Sequence, residues 1–226
     1  MNEFTRLVSI VGQDNVNNFK TKTICVIGVG GVGGSTVEAL VRSGIEHIIL
    51  VDFDKIDVTN INRQLVALHS TIGRKKIDVW KERILDINPA AEVITYDMFL
   101  DKDNMEEVFK NKIDYLVDAC DTISTKKMLI MESIKRSIPF VVSLGTGNKL
   151  DPSLLEITDL TKTAYDPLAR ILRKWVKDER IDTHIQVLSS KEHPVKTGER
   201  TPGSSAFVPN GAGLLIASYI IRKLMN

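Results

Sequence analysis

The chain has 226 residues, of which 43% are apolar and 26% charged, with a formal net charge of +1. Those values fit an ordinary globular protein with room for a sizeable core, and they exclude a polybasic protein that binds nucleic acid by charge alone. The first residues hold Glu3 and no apolar core of signal-peptide length, and the stretch "GLLIASYII" is too short to span a bilayer. A cytoplasmic location without a membrane anchor is therefore expected. Cys25 sits in an apolar run and Cys120 in "VDACD". They read as reduced thiols, and with no CxxC pair a thiolate zinc site is not expected.

In chain order, β-branched runs alternate with helical patterns. Strands are expected at "TICVIG" (23–28), "HIILVD" (47–52), "AEVITYD" (91–97), "DYLVDA" (114–119) and "PFVVSLG" (139–145). Between them, Ile77, Trp80, Ile84 and Ile87 recur at helical spacing until Pro89, and Met128, Met131, Ile134 and Ile138 do the same. This alternation predicts an α/β, Rossmann-like, mostly parallel sheet with helices on both faces. The last third is expected to add "LLEITDL" (154–160) as a strand, then a helix opening at Asp166-Pro167 with Leu168, Ile171, Leu172 and Trp175 on its apolar face. "HIQVL" (184–188) reads as a strand, 189–205 as a loop, and "GAGLLIASYIIRKL" as a helix apolar on most sides. One domain over 1–226 is expected: a nucleotide-binding core over 1–150, and a C-terminal elaboration over 151–226 on the substrate side.

Gly28, Gly30 and Gly33 form G-x-G-x-x-G between the first strand and a helix, and Asp52 ends the next strand 19 residues later. This is the context a dinucleotide-type fingerprint requires. Gly28 permits the tight turn, Gly30 and Gly31 allow close approach to a ligand, and Asp52 would accept from ribose hydroxyls. The alternative is a strand–helix turn with no ligand. The fingerprint alone fits NAD, FAD or ATP.

The segment "DFDKIDVTNINRQ" narrows the choice. Asp54, Asn60, Asn62, Arg63 and Gln64 form a polar cluster that hydride transfer does not need and a triphosphate does. Arg63 is suited to clamp phosphate oxygens, Lys76 to add a second positive charge, and Asp121 to hold magnesium through a carboxylate oxygen. Singly, Arg63 and Lys76 read equally well as surface residues, and Asp118 as a strand-end cap. Their predicted place on one rim favours a site.

"GVGGVG", "DFD", "TNINRQ", "GRKKIDV" and "DACD" together resemble the ubiquitin-activating-like adenylating enzymes, which include the bacterial enzymes that activate sulfur carriers for molybdopterin and thiamin synthesis. The resemblance implies ATP with Mg2+ and transfer of AMP to a carboxylate. It implies Gly31 at the α-phosphate, Asp52 on ribose, Asn60, Arg63 and Lys76 on phosphates, and Asp121 at magnesium. It also implies that Arg6, in "FTRLVSIVG", reaches the triphosphate of a partner subunit in a homodimer.

The chain has no cysteine after Cys120, so a downstream thioester is excluded. Cys120 lies between Asp118 and Asp121, two carboxylates expected to raise its pKa, and it reads as packing. "DLTKTAYDPLARILRKWVK" and "TPGSSAFVPNGAGLLIASYIIRKL" resemble one branch, the tRNA threonylcarbamoyladenosine dehydratases. That resemblance implies tRNA as substrate, ATP-driven ring closure of a threonylcarbamoyl group beside the anticodon, and sulfur-relay proteins as candidate partners. Residues 162–200 hold nine Lys or Arg against six Asp or Glu. Lys162, Arg170, Arg173, Lys174, Lys177 and Arg180 would line a phosphate track or make a solvated helix face. His184 and His193 have no ligand spacing around them.

Three other functions stay open at this point. The chain could adenylate the C-terminal carboxylate of a small sulfur-carrier protein. It could be an NAD-dependent oxidoreductase, which leaves Arg63, Lys76 and Asp121 without a task. It could be a nucleotide-binding module without turnover.

Overall fold

The computed structural model describes residues 3–199 and 201–225. One seven-stranded sheet runs in the order β3-β2-β1-β4-β5-β7-β6. Its strands are β1 (Thr23–Ile27), β2 (His47–Val51), β3 (Glu92–Tyr96), β4 (Tyr115–Asp118), β5 (Phe140–Ser143), β6 (Leu155–Asp159) and β7 (Gln186–Ser190). The first five are parallel and in the expected places, and β7 adds to β5 in parallel, with Val142 opposite Val187. Only the edge strand β6 is antiparallel, pairing with β7. Strands β1, β2, β4 and β7 are buried along almost their whole length, as a sheet covered on both faces requires.

The helices are α1 (Thr5–Val11), α2 (Gln13–Lys20), α3 (Gly31–Arg42), α4 (Lys76–Ile87), α5 (Met105–Phe109), α6 (Ile123–Lys135), α7 (Pro167–Asp178) and α8 (Phe207–Leu224). Ile77, Trp80 and Ile84 turn α4 onto the sheet as their spacing predicts. In α6 the pattern was partly misleading: Met131 is 44% exposed and Ile138 lies beyond the helix, while Leu129 and Ile130 are buried. In α7, Ala169 and Leu172 are buried but Ile171 is 40% exposed. Asp166 caps α7 as expected, accepting from the Ala169 N–H at 2.9 Å. The loop before α8 starts at 191 rather than 189, because Ser189 and Ser190 stay in β7. The helix α8 begins at Phe207, four residues ahead of "GAG".

Helix α8 packs directly on α3. A Cβ on Gly213 would lie 2.3 Å from the Val32 carbonyl, and Thr36 Oγ1 donates to the Gly213 carbonyl at 3.2 Å. Thus the last third, although distinct in sequence pattern, supplies β6 and β7 to the same sheet and a helix that backs the glycine loop.

Candidate nucleotide site

The strand order reverses between β1 and β4, which places a crevice at the carboxyl ends of those strands. A cavity of about 310 Å³ opens there. Its wall includes Gly28, Gly30, Gly31, Asp52, Asp54, Asn60, Arg63, Gln64, Lys76 and Asp121, while Arg6 lies outside it and Asn62 turns instead to Arg63 and the Ser204 carbonyl. Arg6 is exposed on α1.

The glycine loop is shaped by the protein before any ligand binds. Gly28 has φ +82, and a Cβ there would lie 2.8 Å from the Ala119 carbonyl. A Cβ on Gly33 would lie 1.8 Å from the Gly28 carbonyl oxygen, so no larger residue lets α3 start this close to β1. A Cβ on Gly31 would lie 3.0 Å from Pro209 of α8, a packing demand that the sequence did not reveal. A Cβ on Gly30 would meet only the Gln64 side chain, at an ordinary 3.5 Å. The Val29 peptide between them is held at both ends. Its N–H donates to Asp52 Oδ2 at 2.8 Å, and its carbonyl accepts from Trp80 Nε1 at 3.1 Å.

Asp52 therefore has a second role beside the ribose one expected of it. Its other oxygen accepts from the Asp54 N–H at 2.9 Å, so each oxygen keeps one lone pair for a ligand. Burial raises its pKa, against the opposing pull of the Lys76 charge and the two backbone donors. Lys76 is not the solvated residue that its sequence position alone would allow. It is 4% exposed, with Nζ 2.6 Å from Asp54 Oδ2 and 4.0 Å from Asp52 Oδ1. A buried ammonium bound to a half-exposed carboxylate is a cation held at the cavity wall.

Arg63 is placed by a 3-10 turn, Val58–Asn60, capped by Asp57. Its Nη1 donates to the Thr59 carbonyl and to Asn62 Oδ1, both at 2.9 Å, and the guanidinium has further N–H donors for a ligand. Asn60 accepts from the Asp57 N–H at 3.1 Å, so part of its task is to close that turn. Gln64 is 7% exposed, and its Oε1 is buried without a hydrogen-bond partner. Such an orphan acceptor in a cavity wall is satisfied when a ligand donor arrives.

Asp121 is exposed, lines the cavity, and accepts only a long 3.4 Å contact from Thr122 Oγ1. Among the described residues no cluster of three His, Cys, Asp or Glu exists that could hold a metal ion by itself. One carboxylate is what magnesium needs wherever phosphate and water oxygens complete its shell.

Sequence reading missed the apolar wall of Phe53, Met98, Phe99 and Leu100 and several wall residues from the later part of the chain. Phe53 and Phe99 meet edge-to-face at 5.3 Å, and Thr146, Ser204 and Pro209 come from the later part of the chain. Phe53 stood between two acids and gave a weak signal; the others are brought in only by topology. Sequence reading also took Asp118 for a strand-end cap. It is fully buried, with Oδ1 accepting from Lys126 Nζ at 3.0 Å and from the Cys120 thiol at 3.1 Å. Burial and then the Asp118 charge push the Cys120 thiol far above its usual range. Asp121 takes no part in that shift, which corrects the expectation of two carboxylates acting on it.

The profile of the ThiF family matches residues 4–193. A tRNA threonylcarbamoyladenosine dehydratase of Bacillus subtilis (strain 168) is 40% identical over 243 residues, covering 100% of this chain and 96% of the relative. The Escherichia coli (strain K12) protein of that name is 40% identical over 170 residues, covering 75% of this chain and 63% of the relative. The crystal structure of E. coli tRNA N6-threonylcarbamoyladenosine dehydratase, TcdA, in complex with ATP matches with a TM-score of 0.93 at 35% identity, covering 99% of this chain and 93% of that one. By the profile match, the full-length identity and the shared fold, the chain belongs to the ThiF family and, within it, to the tRNA threonylcarbamoyladenosine dehydratases.

Proposed function

We propose that this chain uses ATP to dehydrate and cyclise threonylcarbamoyladenosine in tRNA through an acyl-adenylate. The observation that carries the reading is the one cavity where Gly30, Asp52, Arg63, Lys76 and Asp121 meet. The wall of Phe53, Met98, Phe99 and Leu100 suits the adenine, and the Gln64 Oε1 orphan suits a donor on the nucleotide. Asp52 takes ribose hydroxyls on its remaining lone pairs. Arg63 and Lys76 hold phosphate oxygens, with Asn60 and the Gly30–Gly31 backbone beside them. Asp121 would hold Mg2+, which when bound neutralises phosphate charge.

The threonyl carboxylate attacks the α-phosphorus of ATP, and the bond to pyrophosphate breaks. Charge develops on the phosphate oxygens, where Arg63 and Lys76 stabilise it. The carbamoyl group of the same substrate then attacks the acyl carbon, loses its proton, and expels AMP carrying the former carboxylate oxygen. The net change on the nucleoside is loss of one water. Attack from within the substrate gains effective molarity and needs no enzyme nucleophile. The raised pKa of the half-buried Cys120 agrees with that, since the neutral thiol is a poor nucleophile. The dehydration consumes no sulfur, so a sulfur-relay protein would act outside the turnover.

Arg6 lies outside this chain's cavity. Its role in the reading is therefore supplied across a homodimer, to the triphosphate bound by the partner. A cytoplasmic location follows from a tRNA substrate, and among the described residues no helix is long and apolar enough to cross a membrane.

The test is incubation with ATP, Mg2+ and tRNA carrying linear threonylcarbamoyladenosine, followed by mass analysis of nucleosides. Loss of one water with release of AMP is expected, and Arg63→Ala should lower the rate by about a hundredfold or more while the fold is retained. An unchanged nucleoside with ATP intact rejects the function. Adenylation of a carrier protein with a Gly-Gly tail instead of tRNA assigns the chain to the sulfur-carrier branch.

A further inference from the structure

The helix α7 is not used by the chemistry above, yet it begins at the edge of the cavity. Asp166, 5% exposed, accepts from the Gly145 N–H at 2.9 Å and from the Ala169 N–H at 2.9 Å. Gly145 is followed by Thr146, a cavity-wall residue. The first turn of α7 is thus pinned to the segment that enters the cavity wall at Thr146.

At 3.6 residues per turn, Arg170, Lys174 and Lys177 fall at i, i+4 and i+7 on one stripe. The opposite face holds buried Ala169 and Leu172, so the stripe points straight outward. All three residues are exposed, and none is ion-paired among the described residues. That contrasts with the basic residues of α4, where Arg83 pairs with Glu38, and Arg74 just ahead of that helix pairs with Glu82. A rise of about 1.5 Å per residue separates Arg170 from Lys174 by roughly 6 Å along the axis, close to the spacing of successive phosphates on an RNA strand.

At the head of the stripe, Tyr165 is 53% exposed and has φ +57. A left-handed backbone is unfavourable for an aromatic residue and marks places where function holds the conformation. Its ring lies against His193, with centroids 3.6 Å apart and planes tilted by 37°. Two exposed rings, one of them a single residue ahead of the pinned Asp166, make a platform on which an unstacked base can lie.

Resting on the functional reading above, we propose that the outward face of α7 holds the anticodon arm of the tRNA. Arg170, Lys174 and Lys177 contact successive phosphates. The Tyr165–His193 pair stacks a loop base next to the adenosine that enters the cavity. This platform-plus-stripe arrangement fits a nucleic acid strand, because it combines an aromatic face with regularly spaced charge.

The experiment measures binding of fluorescent tRNA carrying linear threonylcarbamoyladenosine by anisotropy, as a function of salt, with the full chain. ATP binding is measured in parallel as the check on folding. The triple variant Arg170→Glu, Lys174→Glu, Lys177→Glu should weaken tRNA binding by at least tenfold and flatten the slope of log affinity against log salt by about two to three. Its ATP affinity should match wild type. Tyr165→Ala should weaken tRNA binding by about fivefold or more, and Tyr165→Trp should restore it. A triple variant with wild-type affinity and salt slope, alongside wild-type protein that cyclises the nucleoside, overturns the α7 surface alone. Wild-type protein that neither binds the tRNA nor dehydrates it overturns the surface together with the reading on which it rests.

Discussion

Lys126 carries an ammonium to a position with no solvent exposure, where it donates to Asp118 Oδ1 at 3.0 Å and to the Ser143 carbonyl at 2.8 Å. It thereby ties α6 to the ends of β4 and β5 directly behind the segment that carries Asp121. Asp118 Oδ2 is buried and unpartnered, so the carboxylate depends on Lys126 for its charge balance. Removing the cation alone strands a buried anion, a loss of about 3–5 kcal/mol. Lys126→Met should lower the urea midpoint accordingly, and adding Asp118→Asn should recover a large part of the loss. Equal stabilities for the single and double variants would show that the two charges do not support one another. In the sequence, Lys126 stands in "TKKML" beside a second lysine, and one-dimensional pattern does not tell which of two adjacent lysines turns inward. The glycine loop was legible for the opposite reason: its requirements are local, set by a strand end and a helix start only a few residues apart.

At the scale of elements, α3 and α4 must keep a fixed separation, because α3 presents the glycine loop and α4 presents Lys76. Gly34 permits that closeness, since a Cβ there would lie 2.6 Å from Trp80. Glu38 then fastens the exposed edge, accepting from Arg83 Nε at 2.7 Å and from Arg42 Nη2 at 2.8 Å. Burial acts to raise the Glu38 pKa, but the hydrogen bonds and charges of Arg83 and Arg42 outweigh it and hold the carboxyl below its usual range. A depressed carboxylate pKa means that the contribution is present above the unfolded pKa and is lost as pH falls through the folded one. With Arg83 and Arg42 partly exposed, the contribution at neutral pH is about 1 kcal/mol. Glu38→Gln should therefore have a lower urea midpoint than wild type at pH 7, and the gap should close on titration below about pH 4. A gap independent of pH would assign the loss to packing. Helices α3 and α4 were foreseeable from glycine motif and period, whereas this cross-link was not, because 45 residues separate Glu38 from Arg83. The pairing of β6 was hidden likewise. Its strand pattern was legible, but its antiparallel place at the sheet edge is set by β7, which comes later in the chain.

For the whole molecule, the decisive feature is a cavity that gathers the expected cations Arg63 and Lys76 but not Arg6. Arg6 is exposed on α1, a helix with no buried residues, and Ile10 on the same helix is 82% exposed. A surface helix that shows an arginine and a large apolar side chain is suited to meet a second copy of the chain, with each copy lending its arginine to the other's site. The consequence is specific. Arg6→Ala and Arg63→Ala should each reduce AMP formation strongly as pure proteins, since every site lacks one cation. In a dimer of one chain of each kind, the cavity of the Arg6→Ala chain keeps its own Arg63 and receives Arg6 from its partner, so one of the two sites is whole. Random exchange in an equal mixture makes half the dimers mixed, and activity should return to about a quarter of wild type. The measurement is AMP release before and after subunit exchange, with each variant's tRNA-free ATP binding recorded as a control. If exchange occurs and activity stays at the level of the pure variants, Arg6 does not act across the interface. If Arg6→Ala alone retains full activity, the arginine has no part in the site at all.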